Sequence, residues 1–436
     1  MEAVKVGVLG LGTVGSGVAN ILQRNADEIA RRAGRGIRIS TACVQDLKKQ
    51  RACDVTDVTL TTDPNQVVSN TDVEIVLELM GGTDEARELV FKALDHGKHV
   101  VTANKALIAF HGNEIFLRAQ EKGVTVAFEA AVAGGIPIIK ALREGLAANS
   151  IRWLAGIING TGNFILTEMC DKGRDFNEAL KEAQQLGYAE ADPTFDIQGT
   201  DAAHKLAILA SVAFGVPLQF EKVYTEGITE ISRMDAAYAS ELGYRIKHLG
   251  IAKRTPNGLE LRVHPALIPH RRLIANVDGV MNAVIVNADA LGPSLYYGAG
   301  AGAEPTGSAV VADLIDVVRA LTTDPENRVP HLAFQPDALS DIPVLPMDDV
   351  LTAYYLRIHV VDRPGVLADV TRIFAVHAIS IEAIIQKELQ AGATSVPIVI
   401  LTHQVNEQNM KRAIAELEDL STVTSRITRI RLETLS

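Results

Sequence analysis

The sequence predicts an α/β protein with an N-terminal parallel sheet, a central α+β region and a C-terminal βαββαβ unit. Three observations support this prediction. An apolar strand at Val4–Leu9 leads directly into a glycine-rich turn and a helix. Strand and helix patterns then alternate up to about residue 135, as in chains built from βαβ units. The last part of the chain follows the order β, α, β, β, α, β.

The glycine-rich turn reads G-L-G-T-V-G between a strand and a helix, the context that dinucleotide binding requires. Gly10 permits the tight turn, Gly12 lets the backbone approach a pyrophosphate, and Gly15 lets helix and strand pack closely. The helix predicted over 14–32 closes at Gly34 and presents its first N–H groups to phosphates. The predicted cofactor-binding residues of this turn are Gly10, Gly12, Thr13, Val14 and Gly15. The N-terminal region is therefore predicted to be a Rossmann domain for NAD(H) or NADP(H).

The loop after the second strand, predicted over 37–44, bears on the choice between the two cofactors. Asp46 could bind a ribose hydroxyl, whereas Lys48, Lys49 and Arg51 could attract a 2′-phosphate. These lysines could equally belong to a solvated loop. The balance favours NADP(H).

Further strands at 73–79, 99–102 and 124–128, with a helix at 84–96, continue the sheet. The segment T-A-N-K, which ends at Lys105, follows the strand 99–102 at the carboxyl edge, where ligands bind in open α/β sheets. By residue type alone, Lys105 is either a ligand-contacting lysine or the start of a helix. The segment E-A-A-V-A-G-G-I-P after strand 124–128 has the pattern of a strand-to-helix turn, although its carboxylate and carbonyls are hard oxygen ligands.

An acid-rich stretch over 183–205 is the most informative part of the chain. Its charged residues are Glu190, Asp192, Asp196, Asp201 and Lys205. Gly187 ends a helix predicted over 176–186, and a second helix begins at Asp201, so that Asp201 and Lys205 share one face. Carboxylates suit a substrate ammonium group, and a lysine can give a proton to a reacting oxygen. The pair alone is also compatible with a helix-surface ion pair of roughly 0.3–0.5 kcal/mol.

The same stretch resembles the signature of monofunctional homoserine dehydrogenases that carry a C-terminal ACT domain. The matching residues are Ala183, Gly187, Tyr188, Ala189, Asp192, Pro193, Asp196, Gly199, Asp201 and Lys205. The motif I-I-N-G-T-G-N-F-I, at the end of a strand over 151–160, also matches. The resemblance covers about residues 4–320. It implies reversible NAD(P)H-dependent reduction of L-aspartate 4-semialdehyde to L-homoserine, in threonine, methionine and isoleucine biosynthesis.

The resemblance also implies roles for individual residues. Lys205 would donate a proton to the developing alkoxide, Asp201 would hold its ammonium, and Lys105 would help position the reacting oxygen. The implied substrate-binding residues are Gly187, Glu190, Asp192 and Asp201. Gly302, in the glycine-rich segment before the last helix of this region, would lie near the cofactor.

Two further implications concern bound ions and the cofactor phosphate. A monovalent cation, Na⁺ or K⁺, would be held by Glu129 and by backbone oxygens of Val132, Gly134 and Ile136. Gln45 stands where such enzymes often carry an arginine for the 2′-phosphate, a departure that weakens the NADP(H) prediction.

The C-terminal unit resembles an ACT domain, a regulatory module that binds amino acids, usually at a dimer interface. Asp362 and Gly365 match its ligand turn. The implied partners are an amino-acid effector, with L-threonine as the candidate, and further copies of the chain in a dimer or tetramer. A purely structural dimerisation domain is the alternative. We expect this unit to fold alone behind a Pro- and Asp-rich linker and to be dispensable for turnover.

The predicted boundaries follow from these patterns. They are 1–135 for the Rossmann domain, 136–305 for the substrate and dimerisation domain, 306–321 for a helix returning to the Rossmann domain, 322–350 for the linker and 351–436 for the ACT domain.

Composition limits the possible partners and compartment. The net charge is −11 without a long basic run, so we expect neither a nucleic-acid nor a membrane partner. The cysteines Cys43, Cys53 and Cys170 form no Cys-x-x-Cys pair, which predicts a reducing compartment. The first strand starts too close to Met1 for a signal peptide. We expect a soluble, cytoplasmic protein.

Two other functions remain open from the sequence. An aldehyde-active enzyme such as aspartate-semialdehyde dehydrogenase needs a nucleophilic cysteine, and none of the three has an evident base. A non-catalytic amino-acid sensor would not need the intact pair of Asp201 and Lys205.

Overall fold

A computed structural model describes residues 2–325, 328–387 and 395–435. Residues 326 and 327 of the predicted linker lie outside the described residues. The chain divides into two compact units. The first comprises Met1–Leu154, Ala203–Val223 and Met281–Ile342, and the second comprises Ala155–Ala202, Tyr224–Val280 and Pro343–Ser436.

Strands alternate with helices along much of the described chain. The strands are β1 (Val4–Leu9), β2 (Ile37–Cys43), β3 (Thr59–Thr61), β4 (Ile75–Glu78), β5 (His99–Thr102), β6 (Val126–Ala127), β7 (Ile151–Ile157), β8 (Tyr224–Thr225), β9 (Tyr244–Thr255), β10 (Gly258–Pro269), β11 (Met281–Ala288), β12 (Gly292–Ala299), β13 (Leu351–Val360), β14 (Ile381–Gln386), β15 (Val396–Thr402), β16 (Val405–Asn406) and β17 (Thr428–Leu432). The helices are α1 (Thr13–Arg24), α2 (Ala26–Ala33), α3 (Asn65–Val68), α4 (Asp84–Asp95), α5 (Lys105–Glu121), α6 (Ile138–Lys140), α7 (Gly160–Lys172), α8 (Phe176–Gln185), α9 (Thr194–Ile197), α10 (Thr200–Phe214), α11 (Arg233–Glu241), α12 (Ala303–Ala320), α13 (Val366–Val376) and α14 (Glu407–Glu418).

The first unit is built on a parallel sheet with the strand order β3-β2-β1-β4-β5-β6, which confirms the predicted Rossmann-like architecture. Apolar side chains of β1, such as Val6 and Val8, form one buried core with α1 and α12. The two helices pack closely because Gly17 and Gly307 have no side chains. An added Cβ on Gly17 would lie 2.1 Å from the carbonyl oxygen of Ala303.

The single helix predicted over 14–32 is wrong, because the chain forms α1 and α2 with Asn25 between them. Asn25 leaves the helical conformation at φ −110° and ψ 23°, although its N–H still bonds to Ile21. The predicted close at Gly34 is confirmed, since this glycine caps α2 at φ 83°. The prediction also missed β3 and α3, which are too short to show a hydrophobic period.

The second unit contains a mixed sheet in which the C-terminal strands continue the central ones, in the order β9-β10-β17-β13-β15-β14. Strand β17 pairs in parallel with β10 through Ala266 with Arg431 and Leu267 with Leu432. Apolar residues of α7 and α11 share one core cluster with Tyr355, Leu401 and Ile430 of the tail. In this structure the tail therefore shares its sheet and core with earlier residues, whereas its dispensability for turnover stays a prediction.

Buried charges also join the tail to the rest of this unit. Arg431 has no exposed surface and donates to Glu407 at 2.6 Å and to Glu226 at 2.9 Å. Arg357 of β13 donates to both carboxylate oxygens of Asp235, at 2.7 and 3.0 Å. Removing one partner of a buried pair costs about 3–5 kcal/mol, so these contacts fix the tail strands in the sheet.

In the described part of the chain, no helix combines the length and apolar character needed to cross a membrane.

A chain that ends at Arg319 should fail to fold its second unit. It loses β13 and β17, leaves one edge of β10 unpaired and uncovers the apolar core on α7. We expect aggregation, or loss of the cooperative thermal transition, in size-exclusion chromatography and circular dichroism. Asp362→Ala, in an exposed loop of the tail, is the control and should behave as the full-length protein. A soluble, active truncated chain would contradict this prediction.

Candidate active site

The turn between β1 and α1 has the geometry that its glycines predict. Gly10 adopts φ +100°, and an added Cβ there would lie 2.8 Å from the carbonyl oxygen of Leu79. A Cβ on Gly15 would lie 2.3 Å from the carbonyl oxygen of Gly10. A Cβ on Gly12 would meet no atom of the described chain within 4 Å, so the backbone is open there to a ligand.

Gly10 and Gly12 border a cavity of about 830 Å³ at the carboxyl edge of the parallel sheet. Its other walls come from the loops after β2 and β4 and from the start of α12. These walls include Gln45, Asp46, Lys49, Arg51, Met80, Gly81, Gly82, Ala303 and Glu304. The cavity has room for a dinucleotide, with the pyrophosphate beside Gly12 and the first turn of α1.

Thr13 begins α1 and lines the cavity, as predicted for a cofactor-binding residue. The side chain of Val14 packs against the hydrophobic core, so this residue can offer only backbone atoms to a ligand. Gly302 immediately precedes α12 at φ +127°, and the next residues, Ala303 and Glu304, line the cavity.

The loop after β2 presents both polar and positive groups to the cavity. Arg51 is occupied in holding the loop, because it donates to the backbone oxygens of Asp46 and Lys49 at 2.5 and 2.7 Å. The side chain of Asp46 accepts the N–H of Lys48. Gln45 and Lys49 are the neighbouring side chains in the cavity wall.

Lys105 is the first residue of α5 and is half-buried. Asn104 caps this helix, since its side-chain oxygen accepts the N–H of Leu107 at 3.1 Å. The predicted functional lysine therefore also starts a helix, and the two interpretations of the sequence are compatible.

The loop between β6 and α6 holds Glu129, which is 1% exposed. Its carboxylate oxygens accept the N–H groups of Ile139 and Lys140, both at 2.8 Å. Its own N–H donates to Asp313 at 2.7 Å. Burial, followed by the negative charge of Asp313, raises the pKa of Glu129 to about 7. Two buried carboxylates in one place favour a nearby cation, so the donor chemistry fits the predicted ion.

The backbone of the same loop is tightly placed. Gly134 has φ +50°, and an added Cβ would lie 2.4 Å from the carbonyl oxygen of Gly300. The carbonyl of Ile136 accepts the N–H of Ile138 at 2.8 Å and keeps a second lone pair. Among the described residues, no group of three or more His, Cys, Asp and Glu side chains could hold a metal ion. An ion in this loop would therefore depend on backbone oxygens.

In the second unit, Asn159 joins two of the signature aspartates. Its side-chain nitrogen donates to Asp196 at 2.7 Å and to Asp201 at 2.9 Å. Its side-chain oxygen accepts the N–H of Gly162 and so caps α7. Asn159 and Asp196 were absent from the predicted site residues. The motif I-I-N-G-T-G-N contained Asn159, but only the fold shows that it bridges Asp196 and Asp201.

The other predicted substrate-binding residues lie on the loop between α8 and α9. Gly187 has φ +75°, and Glu190 and Asp192 are exposed. Asp192 accepts the N–H and the hydroxyl of Thr194, at 3.1 and 2.6 Å, and these bonds lower its pKa. Asp192 therefore shapes the turn into α9, whereas Glu190 presents its carboxylate at the surface.

Helix α10 carries Asp201 and Lys205, which are 2% and 9% exposed. The division between the two units falls between Ala202 and Ala203 in this helix. Gly199, just before the helix, has φ +87°, and an added Cβ would lie 2.9 Å from the ring of His248. A buried lysine one turn after a buried aspartate differs from the exposed ion pair that the sequence also allowed.

Cys43 and Cys170 are poorly suited to act as nucleophiles in acyl chemistry. Burial raises the pKa of Cys43 and of Cys170, which disfavours the reactive thiolate of each. Cys43 lines the cofactor cavity at the end of β2, on the side of the loop that holds Asp46. This geometry argues against the aldehyde dehydrogenase alternative.

A dinucleotide-sized cavity beside a glycine turn, together with a buried lysine on α10, places the chain among nicotinamide-dependent oxidoreductases. Sequence profiles of known families agree. The profile "Homoserine dehydrogenase, NAD binding domain" matches residues 10–129, "Homoserine dehydrogenase" matches 137–315 and "ACT domain" matches 354–422. The chain belongs to the homoserine dehydrogenase family, whose members act on a CH–OH group with NAD(P).

Individual relatives support this assignment. The chain is 63% identical to homoserine dehydrogenase of Pseudomonas aeruginosa over 436 residues, which is 100% of both proteins. The crystal structure of a homoserine dehydrogenase from Thiobacillus denitrificans superposes with a TM-score of 0.96 at 64% identity, over 100% of this chain and 99% of that one. A hyperthermophilic archaeal homoserine dehydrogenase in complex with NADPH gives a TM-score of 0.60 at 26% identity, over 72% and 97% of the chains.

Two alanine substitutions should separate the roles of the turn glycines. Gly12→Ala should lose less stability than Gly15→Ala, because its added methyl meets open space, yet it should weaken NADPH binding on the order of tenfold. Gly15→Ala should lower the free energy of unfolding by about 1–3 kcal/mol, because its Cβ overlaps the backbone of Gly10. Thermal unfolding without cofactor and fluorescence titration with NADPH measure the two effects. Equal loss of stability in both variants would refute this assignment.

Proposed function

We propose that this protein catalyses the reversible NAD(P)H-dependent reduction of L-aspartate 4-semialdehyde to L-homoserine. The observation that carries the proposal is α10, on which buried Asp201 and Lys205 follow an acid-lined turn held together by Asn159. The family assignment supplies the reaction class. In a cell, this reaction would serve threonine, methionine and isoleucine biosynthesis.

When bound, the nicotinamide cofactor would supply the hydride that reduces the aldehyde carbon. The chain's own residues manage the proton and the substrate. Lys205 gives its proton to the carbonyl oxygen as the carbon is reduced, so the product carries a CH–OH group. Asp201 holds the ammonium of Lys205 and the reacting hydroxyl, while Lys105 positions the same oxygen. Glu190 binds the substrate ammonium, and Gly187 and Asp192 shape the turn around it.

Asn159 holds two of the acidic side chains of the proposed site in place. Its amide donates to both Asp196 and Asp201, so that one oxygen of each carboxylate is held in place. A carboxylate held in this way is pre-organised toward Lys205 and the substrate.

A monovalent cation, Na⁺ or K⁺, is proposed for the loop that carries Glu129, with backbone oxygens of Val132, Gly134 and Ile136. The buried pair of Glu129 and Asp313 supports a positive charge there. The ion would fix the loop and has no step in the reaction.

For the cofactor, we propose NADP(H), because Lys49 faces the cavity beside Gln45. Initial rates with homoserine and each of NAD and NADP decide between the two. A preference for NAD would indicate that Asp46 binds the ribose hydroxyl of the cofactor.

Replacing Lys205 should separate chemistry from cofactor binding. Lys205→Ala should lower kcat by on the order of 10²–10⁴, the usual contribution of a general acid–base group. The affinity for NADPH should change little. The measurements are initial rates in both directions and NADPH fluorescence titration.

Lys181→Ala, an exposed lysine on α8, is the matched control and should keep wild-type kcat. A kcat for Lys205→Ala within a few-fold of wild type would remove Lys205 from the mechanism.

The C-terminal unit is proposed to bind an amino-acid effector, with L-threonine as the candidate, in a homodimer or homotetramer. The exposed turn with Asp362 and Gly365, where Gly365 has φ +95°, supports this proposal. An effector inhibits only if it binds the inactive arrangement more tightly than the active one. Because β17 pairs with β10, such a difference can reach the rest of the same unit through its sheet.

Threonine should inhibit the wild-type enzyme, and Asp362→Ala should weaken this inhibition at least about tenfold without changing kcat, as expected when one charged hydrogen bond is lost. Rate against threonine concentration is the measurement. Asp369→Ala, a half-buried acid on α13 that pairs with Arg372, controls for a general change of charge. If threonine and related amino acids leave the wild-type rate unchanged, the tail is a structural module.

A further inference from the structure

Glu78, the last residue of β4, is a carboxylate with no exposed surface at the edge of the sheet where the cofactor cavity opens. Burial raises its pKa, while hydrogen bonds to the carboxylate act in the opposite direction. A buried carboxylate is costly unless several donors satisfy it. The donors around Glu78 therefore show what it holds.

The two carboxylate oxygens of Glu78 reach two different loops. Oε1 accepts the backbone N–H groups of Met80 and Gly81, at 3.1 and 3.3 Å. Oε2 accepts the hydroxyl of Thr102, the last residue of the neighbouring strand β5, at 2.6 Å. Glu78 thus joins the loop after β4 to the loop after β5.

Further bonds close this connection into a ring. The hydroxyl oxygen of Thr102 accepts the N–H of Asn104 at 2.9 Å. The side-chain nitrogen of Asn104 donates to the carbonyl of Gly82 at 2.7 Å. Glu78 is thus linked through Thr102 and Asn104 to Gly82, and it also binds the neighbouring Met80 and Gly81 directly.

One loop of the ring lines the cofactor cavity, and the other begins the helix that carries Lys105. Met80, Gly81 and Gly82 line the cavity next to the turn of Gly10. Gly81 and Gly82 adopt φ +77° and +75°, a pair of left-handed residues that needs an outside contact to stay in one arrangement. On the other loop, Asn104 caps α5 directly before Lys105.

We infer that Glu78 is a positioning residue that holds Lys105 and the Met80–Gly82 turn in one fixed arrangement around the nicotinamide end of the cofactor. This inference rests on the proposed function for the role of Lys105. The part of the inference that concerns the Met80–Gly82 turn is independent of the proposed function. Glu78 itself touches neither substrate nor cofactor and acts through Thr102, Asn104 and the turn.

Thr102 offers the sharper test, because its hydroxyl can be removed at nearly constant volume. Thr102→Val breaks the ring at one atom, whereas Thr102→Ser keeps the hydroxyl. Thr102→Val should lower kcat for homoserine oxidation by roughly 10- to 100-fold, the effect of misplacing a catalytic group by about 1 Å. It should weaken NADPH binding by about tenfold, and Thr102→Ser should restore both values to within a few-fold of wild type.

Thr41→Val is the matched control, since Thr41 is a buried threonine of β2, a more distant strand of the same sheet. It should lose stability without losing kcat or cofactor affinity. Glu78→Gln, which keeps the shape and removes the charge, should reproduce the kinetic pattern of Thr102→Val. If Glu78→Gln does not fold, the two Thr102 variants still decide the question.

The readouts distinguish failure of this inference from failure of the proposed function. If the wild-type protein does not oxidise homoserine, the proposed function fails, and NADPH titration of the Thr102 variants still tests the ring. Folded Thr102→Val protein with kcat within twofold of wild type and unchanged NADPH affinity would overturn the role of Glu78. Equal defects in Thr102→Val and Thr102→Ser would also overturn it, because the hydroxyl would then not be the cause.

Discussion

The cofactor side of this protein depends on one constraint, which is that parallel strands end at the same edge of their sheet. Strands β1, β4 and β5 deliver Gly10, Glu78 and Thr102 to neighbouring positions at that edge. Beyond the ends of these strands the backbone makes no further sheet hydrogen bonds, so the loops that follow can bind a ligand. The cavity, the capped start of α5 and the buried carboxylate of Glu78 all follow from this arrangement.

The substrate side solves a different electrostatic problem. Asp196 and Asp201 are both acceptors, and two carboxylates placed together repel one another. The amide of Asn159 offers one hydrogen to each and reduces this repulsion without adding a charge. A lysine or arginine in the same place would neutralise the acids and compete with a substrate ammonium. A neutral donor therefore suits a site that is proposed to attract a positive group.

Local features of the chain could be predicted from its sequence, whereas contacts between distant residues could not. Strand β5 was predicted with its observed ends and helix α4 to within one residue, because apolar runs and turn residues mark their limits. The break at Asn25 was missed, since Ile21, Leu22 and Ile29 continue an unbroken apolar face. Glu78 falls within the strand predicted over 73–79. Its contact with Thr102 could not be predicted, because Thr102 lies on another strand. The parallel pairing of β17 with β10 has no local signal at all.

The position of β17 has a consequence for how the chain reaches its folded state. The strand is synthesised well after α7 and α11, yet it completes the sheet that covers the apolar faces of these helices. Closing so long a loop is slow, since its entropy must be lost before the new contacts form. During synthesis these faces stay uncovered until β17 has been made, and such intermediates are prone to aggregate. Cells that make this protein in quantity should therefore depend on chaperones for the second unit more than for the first.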